Sequence, residues 1–284
     1  ADPTPGPVEA GVLAQKVLAC REVALLHPTG VTQPEDPARW LDQRQVGRHH
    51  HLRGDEAAHF QRLARRLAGQ ATGLVLSGGG ARGFAHVGVL RAIEELGIEI
   101  DLVGGTSMGA LIGGAYARGA SHQDVVDLSR EVANPRRLFD YTLPFVSLMA
   151  TEKITRVVRE LVGGSEIEDL WRPFFCLSSN LARAEPVVHE TGPLWKAVRA
   201  SIAIPGVFSP VLRDGDLLVD GGVMNNLPVD LMRERLDGGA IIGVNVSPPR
   251  EKREVYDFGD SISGWGVLWN RVNPLERRMK VPSI

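Results

Sequence analysis

The feature that most constrains the fold of this chain is an alternation of short apolar segments with longer helical patterns, which begins at residue 73. Short apolar runs bounded by turn residues predict buried strands, and the longer periodic segments predict helices. The predicted strands cover 73–77, 98–103, 174–180, 186–189, a segment ending at 219, and 240–246; the predicted helices cover about 84–96, 108–118, 121–132, 151–162, 193–203 and 227–236. This order predicts an α/β fold, with a mostly parallel central sheet and helices on both faces.

Composition removes several classes of function. The 284 residues carry 32 Lys and Arg against 34 Asp and Glu, a formal charge of −2, so no global positive field attracts nucleic acid. Aromatic residues make up only 6%, which argues against a base-stacking platform. No apolar run approaches the roughly 18 residues of a membrane-spanning helix. The two cysteines, Cys20 and Cys176, cannot make a disulfide framework; they indicate a reducing compartment in which both fill the core.

The chain divides into three regions that differ in residue composition and pattern. We predict an N-terminal extension over 1–70 that packs on the main domain, a main domain over 71–250, and a C-terminal tail with a Trp-rich segment over 251–284. In the extension, 23–27 predicts a strand and 55–68 a helix, and we expect extra strands on the main sheet rather than a separate lobe. Because the chain begins without Met, we expect a fragment of a longer protein or the remnant of an expression tag.

Three adjacent histidines, His49, His50 and His51, raise the question of a metal site. In an extended segment, neighbouring side chains point to opposite faces, so three in a row do not converge on one ion. We therefore predict no metal site there.

The second predicted strand runs into a Gly-x-Ser-x-Gly turn formed by Gly105, Ser107 and Gly109. Between a strand and a helix, this pattern is typical of a nucleophile elbow, a strained turn that raises the serine hydroxyl above the sheet. Glycine on both sides leaves space for the turn, and the helix amino terminus favours negative charge nearby. We predict that Ser107 is a nucleophile; the alternative is a serine that only caps the helix.

The first predicted strand runs into a second glycine-rich turn. Its residues are Gly78, Gly79, Gly80, Ala81, Arg82 and Gly83. The Gly-x-Gly-x-x-Gly pattern also describes a dinucleotide site, but that site needs an acid at the carboxyl end of the next strand. The nearby acids, Glu99 and Asp101, stand at its beginning. We therefore predict an oxyanion hole built from backbone amides. Arg82 braces the loop, holds a substrate anion, or is a plain surface residue.

The predicted nucleophile needs a base, and the sequence offers two candidates. All eight histidines precede residue 190, and His189 would have to work with an acid such as Asp169. Asp220 is the stronger candidate because it ends a third apolar strand and projects at the same edge of the sheet as Ser107. Gly221 and Gly222 follow it and allow close backbone approach. A carboxylate takes the serine proton directly in a two-residue arrangement; the alternative is an aspartate that starts a turn.

These three motifs, Gly-Gly-Gly-x-Arg-Gly, Gly-Thr-Ser-Met-Gly and Asp-Gly-Gly in this order, resemble the patatin-like phospholipase family. The similarity runs from about 73 to 246 and includes the stretch Ala-Ser-Ile-Ala-Ile-Pro-Gly at 200–206. It implies a three-layer α/β sandwich, a Ser107–Asp220 catalytic dyad, and an oxyanion hole at 78–83. It also implies hydrolysis of acyl esters in lipids through an acyl-enzyme intermediate, without metal or organic cofactor. The family pattern Asp-Gly-Ala is replaced here by Asp-Gly-Gly.

Weaker similarities outside this core, at 40–42, 48–53 and 258–274, resemble the neuropathy-target-esterase branch of the family. That branch implies a lysophospholipid or phospholipid substrate. Its members commonly carry cyclic-nucleotide-binding domains upstream, which this sequence does not contain.

The C-terminal tail offers a route to a lipid surface. Trp265 and Trp269 fall at spacings that fit one helical face, close to several cations of the tail. Such a segment is typical of peripheral membrane contact, and a tail helix packed back onto the fold is the alternative. We expect a cytoplasmic protein, peripheral at the inner face of a membrane. Two rival functions stay open: a non-catalytic lipid-binding or regulatory module, and an oxidoreductase that uses the glycine-rich turn to bind NAD(P).

Overall fold

The computed structural model describes residues 3–14, 21–41, 44, 46–132 and 151–247. The N-terminal part contains helix α1 (Pro7–Leu13), strand β1 (Glu22–His27), helix α2 (Ala38–Leu41), strand β2 (Arg48–Arg53) and helix α3 (Ala57–Leu67). The main part continues with β3 (Thr72–Leu76), α4 (Ala85–Glu95), β4 (Leu102–Thr106), α5 (Met108–Ala117), α6 (His122–Val132), α7 (Thr151–Val162), β5 (Phe174–Asn180), β6 (Glu185–His189), α8 (Leu194–Ser201), β7 (Val211–Arg213), β8 (Asp216–Asp220), α9 (Val229–Arg235) and β9 (Ala240–Val244).

The main strands form one seven-stranded sheet in the order β7-β8-β5-β4-β3-β9, with β6 paired to β5. Strands β9, β3, β4 and β5 are parallel to one another. Strands β6 and β8 run antiparallel to β5, and β7 runs antiparallel to β8. The predicted α/β fold with a mostly parallel central sheet is confirmed.

Alternate residues of the central strands face two separate cores, because successive strand side chains point to opposite faces. On one face, Leu74, Leu76 and Cys176 pack under helices α4 to α8. On the other face, Val75 and Phe175 pack with the side chains around α9. Helices therefore cover both faces of the sheet. Cys176 is fully buried, as predicted for a core filler; Cys20 lies outside the described residues.

Strand β4 begins later than the sequence suggests, at Leu102 rather than at residue 98. Its start coincides with the carboxylate of Asp101, which is fully buried and accepts from the Arg65 guanidinium at 2.7 Å. It also accepts from the backbone N–H of Thr72 at 2.9 Å. The backbone N–H of Asp101 also donates to the carbonyl of Thr72 at 2.8 Å, so the pairing of β3 with β4 begins at this residue.

The N-terminal strands do not extend the main sheet, so that expectation was wrong. β1 and β2 pair in parallel as a two-stranded sheet of their own. Side chains connect this part to the main part of the chain: the Trp171 indole N–H donates to the Thr32 carbonyl at 2.9 Å, and the Arg48 guanidinium pairs with Asp237. The strand edges of β1 and β2 thus stay free of the central sheet while their side chains are held against it.

Within the described residues, every helix is too short or too polar to traverse a lipid bilayer. The tail segment with Trp265 and Trp269, predicted to touch a membrane, lies outside the described residues.

Candidate active site

Ser107 occupies a strained turn between β4 and α5. Its backbone φ is 54° and its ψ is −121°, a conformation that costs a non-glycine residue on the order of 1–3 kcal/mol. The turn is possible only because of the flanking glycines. A Cβ on Gly109 would lie 2.1 Å from the carbonyl oxygen of Leu76, and a Cβ on Gly105 would lie 2.5 Å from the carbonyl oxygen of Gly109. The backbone therefore has the geometry of a nucleophile elbow.

Asp220 reaches Ser107 across the sheet. It ends β8, which runs antiparallel to β5 and places Asp220 opposite Ser178. The Ser107 Oγ–H donates to Asp220 Oδ2 at 2.5 Å, and the two residues are only 6% and 7% exposed. Two oxygens that are 113 positions apart in sequence thus meet in a buried position.

Burial raises the pKa of the Asp220 carboxyl above its ordinary value. Two hydrogen bonds oppose this effect: one from the Ser107 hydroxyl, and one from the backbone N–H of Gly222 to Oδ1 at 2.7 Å. A raised pKa makes the carboxylate a stronger base toward the hydroxyl it contacts. Only glycine fits at position 221, because a Cβ there would lie 2.4 Å from the carbonyl oxygen of Leu177.

The glycine-rich turn lies directly against the serine turn. A Cβ on Gly78 would lie 3.0 Å from Ser107 Cβ, and a Cβ on Gly83 would lie 2.1 Å from the side chain of Met108. Residues Gly80–Phe84 form a short 3₁₀ helix, and Gly80 has a left-handed φ of 53°. Glycine at positions 78 and 83 thus allows the glycine-rich turn to pack directly against Ser107 and Met108.

The backbone amides of the glycine-rich turn are not equivalent. The Gly78 N–H donates to the carbonyl of Asn226 at 3.2 Å, and the Arg82 N–H donates to the carbonyl of Gly79 at 3.1 Å. Within the described part of the chain, the amides of Gly79 and Gly80 have no protein acceptor. The side chains of Ala81 and Arg82 face solvent. The amide of Gly78 is therefore committed to the fold, whereas those of Gly79 and Gly80 are available to a ligand.

The amino terminus of α5 brings a further donor that the sequence reasoning missed. The first backbone bonds of this helix run from the amides of Ala110 and Leu111 to the carbonyl of Ser107. The Met108 amide precedes them and, among the described residues, has no protein acceptor. The residue after the serine of a nucleophile elbow commonly supplies one oxyanion donor, so the motif itself carries the signal for Met108.

Two further residues hold the backbones of the site in place. The backbone N–H of Ser107 donates to the Ser201 hydroxyl at 2.9 Å, and that hydroxyl is fully buried at the end of α8. Just beyond it, the carbonyl of Ala203 accepts from the backbone N–H of Asp220 at 2.9 Å. One chain segment thus contacts both members of the Ser107–Asp220 pair. Its sequence signal is the Ala-Ser-Ile-Ala-Ile-Pro stretch at 200–205.

Asn226 links the glycine-rich turn to the segment that follows β9. Its side-chain amide donates to the Gly78 carbonyl at 3.3 Å and to the Ser247 hydroxyl at 3.0 Å. Because its own carbonyl accepts from the Gly78 amide, Asn226 fixes Gly78 in both directions. No local sequence pattern singled it out.

The alternative base, His189, has no hydrogen bond to Ser107, because both of its ring nitrogens bond to other described residues. Its Nε2 bonds to the Ser178 hydroxyl at 2.8 Å, and its Nδ1 accepts from Arg213 at 3.0 Å. Asp169, its suggested partner, accepts instead from the backbone N–H of Glu166. Burial and the nearby Arg213 lower the pKa of His189 to about 4.

The three adjacent histidines alternate between the faces of β2, as an extended strand requires. The imidazoles of His49 and His51 both bond to the carbonyl of Glu168, at 3.1 and 2.7 Å. His50 bonds to the Glu22 carboxylate at 2.7 Å. Their partners are thus protein groups on two sides of the strand, and no cluster of three metal-binding side chains occurs in the described ranges.

The acids weighed for a dinucleotide site also lie away from the crevice. Asp101 precedes β4 and pairs with Arg65, and Glu99 lies 3.8 Å from the same guanidinium. The carboxyl end of β4 holds Ser107 instead. Ser107 therefore stands at the position where a dinucleotide site requires a carboxylate for the ribose.

The architecture and the turn geometry define a class of protein: an α/β protein with a nucleophile elbow, a buried carboxylate beside it, and a glycine-rich turn at the carboxyl edge of the sheet. The family model for patatin-like phospholipases matches residues 74–233, more than half of the chain. The chain therefore belongs to the patatin-like phospholipase family.

Curated relatives match nearly the whole chain. Human "Patatin-like phospholipase domain-containing protein 6" is 35% identical over 316 aligned residues, which include 100% of this chain and 23% of that protein. "Lysophospholipase NTE1" of Mycosarcoma maydis is 34% identical over 340 residues, again 100% of this chain and 18% of that protein. "Patatin-like phospholipase domain-containing protein 7" of Rattus norvegicus is 33% identical, with 99% of this chain and 23% of that protein covered. The chain spans less than a quarter of the length of these relatives.

Proposed function

We propose that the chain hydrolyses acyl esters of lysophospholipids and phospholipids, with Ser107 as nucleophile and Asp220 as general base. The observation that carries the proposal is the 2.5 Å hydrogen bond from Ser107 Oγ to Asp220 Oδ2 in a buried position. Nearby backbone amides have no protein acceptor among the described residues. Membership of the patatin-like phospholipase family supports a lipid ester as the substrate class. The name lysophospholipase, which the fungal relative carries, supports a substrate with one acyl chain.

In the first half of the reaction, Asp220 accepts the Ser107 proton while Oγ attacks the acyl carbonyl carbon. The carbonyl oxygen gains negative charge, and the amides of Gly79, Gly80 and Met108 are the donors placed to stabilise it. One such donor typically contributes about 2.7–4 kcal/mol to the transition state. The alcohol part of the lipid substrate leaves with the proton from Asp220, and the acyl group stays on Ser107 as an ester.

In the second half, Asp220 takes a proton from a water molecule that attacks the acyl-serine. The same amides stabilise the second oxyanion, the fatty acid leaves, and the proton returns from Asp220 to Ser107 Oγ. Every proton transfer uses the one carboxylate that already contacts the hydroxyl. The residues in hand therefore supply nucleophile, base and oxyanion donors, without a metal or organic cofactor in the scheme. In this scheme the amide of Gly78 plays no part, because it already donates a hydrogen bond to the carbonyl of Asn226.

The proposal is tested by covalent labelling of the serine. A fluorophosphonate probe reacts with activated serines, so we expect one modified peptide that contains Ser107 after digestion and mass spectrometry. The variant Ser107→Ala should lose the label entirely, whereas Ser121→Ala, at an exposed helix start, should keep it. Labelling that persists undiminished in Ser107→Ala, or that never reaches Ser107 in the active protein, would contradict the proposal.

A further inference from the structure

A cavity of about 580 Å³ lies between α8 and the β7–β8 hairpin, and neither Ser107 nor Asp220 lines it. Its walls nevertheless belong to the elements that hold the candidate active site. Arg199 precedes Ser201 by two residues on α8, and Leu218 precedes Asp220 by two residues on β8. Whatever occupies this cavity would therefore contact the supports of the catalytic pair.

Arg199 is the unusual member of the cavity wall. It is only 3% exposed, and one guanidinium nitrogen donates to the carbonyl of Ser209 at 2.9 Å. Its other two guanidinium nitrogens are themselves fully buried and have no hydrogen-bond partner, and no carboxylate pairs with Arg199 in the described part of the chain. The ring of Phe208 lies 5.9 Å from the guanidinium carbon. Burial lowers its pKa. A buried cation without a counter-charge costs several kcal/mol, so this position favours an anion that arrives from outside the chain.

The rest of the cavity wall adds positive charge rather than removing it. Lys196 and Arg213 both line the cavity. The carboxylate of Asp214 lies 3.6 Å from Arg213 but is 89% exposed to solvent, which weakens its compensation. His189 accepts from Arg213 through Nδ1 and is therefore neutral. The lining residues thus carry three cations against one solvated carboxylate.

The cavity also has an apolar part. The side chains of Trp195, Ala197, Val211 and Leu218 line it together with the cations. A volume of about 580 Å³ exceeds what a bare inorganic anion fills. Cations next to apolar walls suit an amphiphile, and guanidinium groups match the oxygens of a phosphate in particular.

We propose that this cavity is a phosphate-binding site, in which Lys196 and Arg213 receive the phosphate of a phospholipid-type molecule and the buried charge of Arg199 attracts it. The phosphate could be the head group of the lipid being hydrolysed, which rests on the proposed function, or it could be a free phosphate that binds independently of turnover. Both sources share one chemistry, and they differ in how the cations affect catalysis.

The first experiment measures binding without turnover. Ser107→Ala protein is titrated with sodium phosphate and with glycerophosphocholine at constant ionic strength, and the thermal midpoint is recorded against chloride. We expect both ligands to raise the Tm, because a ligand of the folded state stabilises it. Adding Lys196→Gln and Arg213→Gln should weaken the apparent affinity at least about tenfold. The control Arg91→Gln, at an exposed ion pair on α4, should change nothing. Binding that survives in the Lys196/Arg213 variant, or no binding at all, would overturn the proposal.

The second experiment distinguishes a lipid head group from free phosphate as the source of the bound phosphate. It also tests whether the buried Arg199 contributes to binding. With active protein, the Lys196/Arg213 variant should raise KM about tenfold for a lysophospholipid but not for a monoacylglycerol of the same chain if the head group binds here. An unchanged KM with lost phosphate binding assigns the site to free phosphate. Arg199→Met, tested for a native Tm first, should also lose phosphate binding; retained binding in that folded variant would remove Arg199 from the site. Absence of turnover with either lipid, with binding intact, would contradict the proposed function and not this site.

Discussion

Asp220→Asn is expected to lower kcat about 10²- to 10⁴-fold while the protein stays folded, because general-base catalysis contributes in that range. The amide fills the same space and still contacts Ser107 Oγ, but it cannot accept the proton. The measurement is steady-state hydrolysis of a soluble short-chain ester together with the thermal midpoint. We expect KM to change little, since the carboxylate acts on the serine rather than on bound substrate.

The thermal midpoint of Asp220→Asn shows whether its low kcat comes from loss of the base or from misfolding. The pKa of Asp220 is raised in the folded state by burial, so the folded protein disfavours the charged form. The stability that a protonated Asp220 gives is complete below its unfolded pKa and is lost as the pH rises through its folded pKa. At neutral pH the ionised carboxylate is therefore a cost, and Asp220→Asn should keep or raise the Tm there. The matched control is Asp216→Asn at the other end of β8, where the carboxylate pairs with Arg183; it should keep kcat within about twofold. Full activity in Asp220→Asn would contradict the assignment.

Gly109→Ala is expected to have the second large effect, on both folding and activity. The added Cβ would lie 2.1 Å from the Leu76 carbonyl oxygen, a backbone atom that cannot move without disturbing β3. We expect a loss of about 1–3 kcal/mol in the free energy of unfolding, typical of overpacking. We also expect a fall in kcat of at least about 10²-fold, since the elbow and the glycine-rich turn must separate. Denaturant unfolding and ester hydrolysis measure the two effects.

A second glycine gives the matched control for that substitution. Gly88 lies within helix α4, and a Cβ there would meet no atom within 4 Å. Gly88→Ala should leave kcat unchanged and stabilise the protein by about 0.5–1 kcal/mol, because alanine is the better helix former. If Gly109→Ala were as active and as stable as Gly88→Ala, the close approach of α5 to β3 would have no role in the site.

The sequence predicted what depends on local pattern. Alternating apolar segments gave the order of strands and helices, and the glycine spacing around Ser107 predicted a turn that only such spacing permits. Asp220 meets Ser107, but not for the reason that the sequence suggested. β8 runs antiparallel to β5, so its carboxyl end does not share the carboxyl edge of β4; the register, with Asp220 opposite Ser178, brings the carboxylate to Ser107. Alternation along β2 separated His50 from its neighbours.

What the sequence did not predict depends on contacts between distant segments. The late start of β4 coincides with an ion pair between the buried Asp101 carboxylate and Arg65, which no periodicity records. β1 pairs with β2 rather than with the central sheet, and nothing in the composition of these strands indicates which partner they take. The roles of Ser201 and Asn226 come from hydrogen bonds across 94 and 148 positions. Such bonds are set by the assembled backbone, so a short motif carries little trace of them.

We propose that Ser107 and Asp220 act as one unit, which a comparison of single and double variants can test. Ester turnover should be measured for Ser107→Ala, for Asp220→Asn and for the two combined, at equal folded fraction. Residues that act together give grossly non-additive losses, so we expect the combined variant to be no slower than Ser107→Ala alone. A combined loss equal to the product of the two single losses would contradict it.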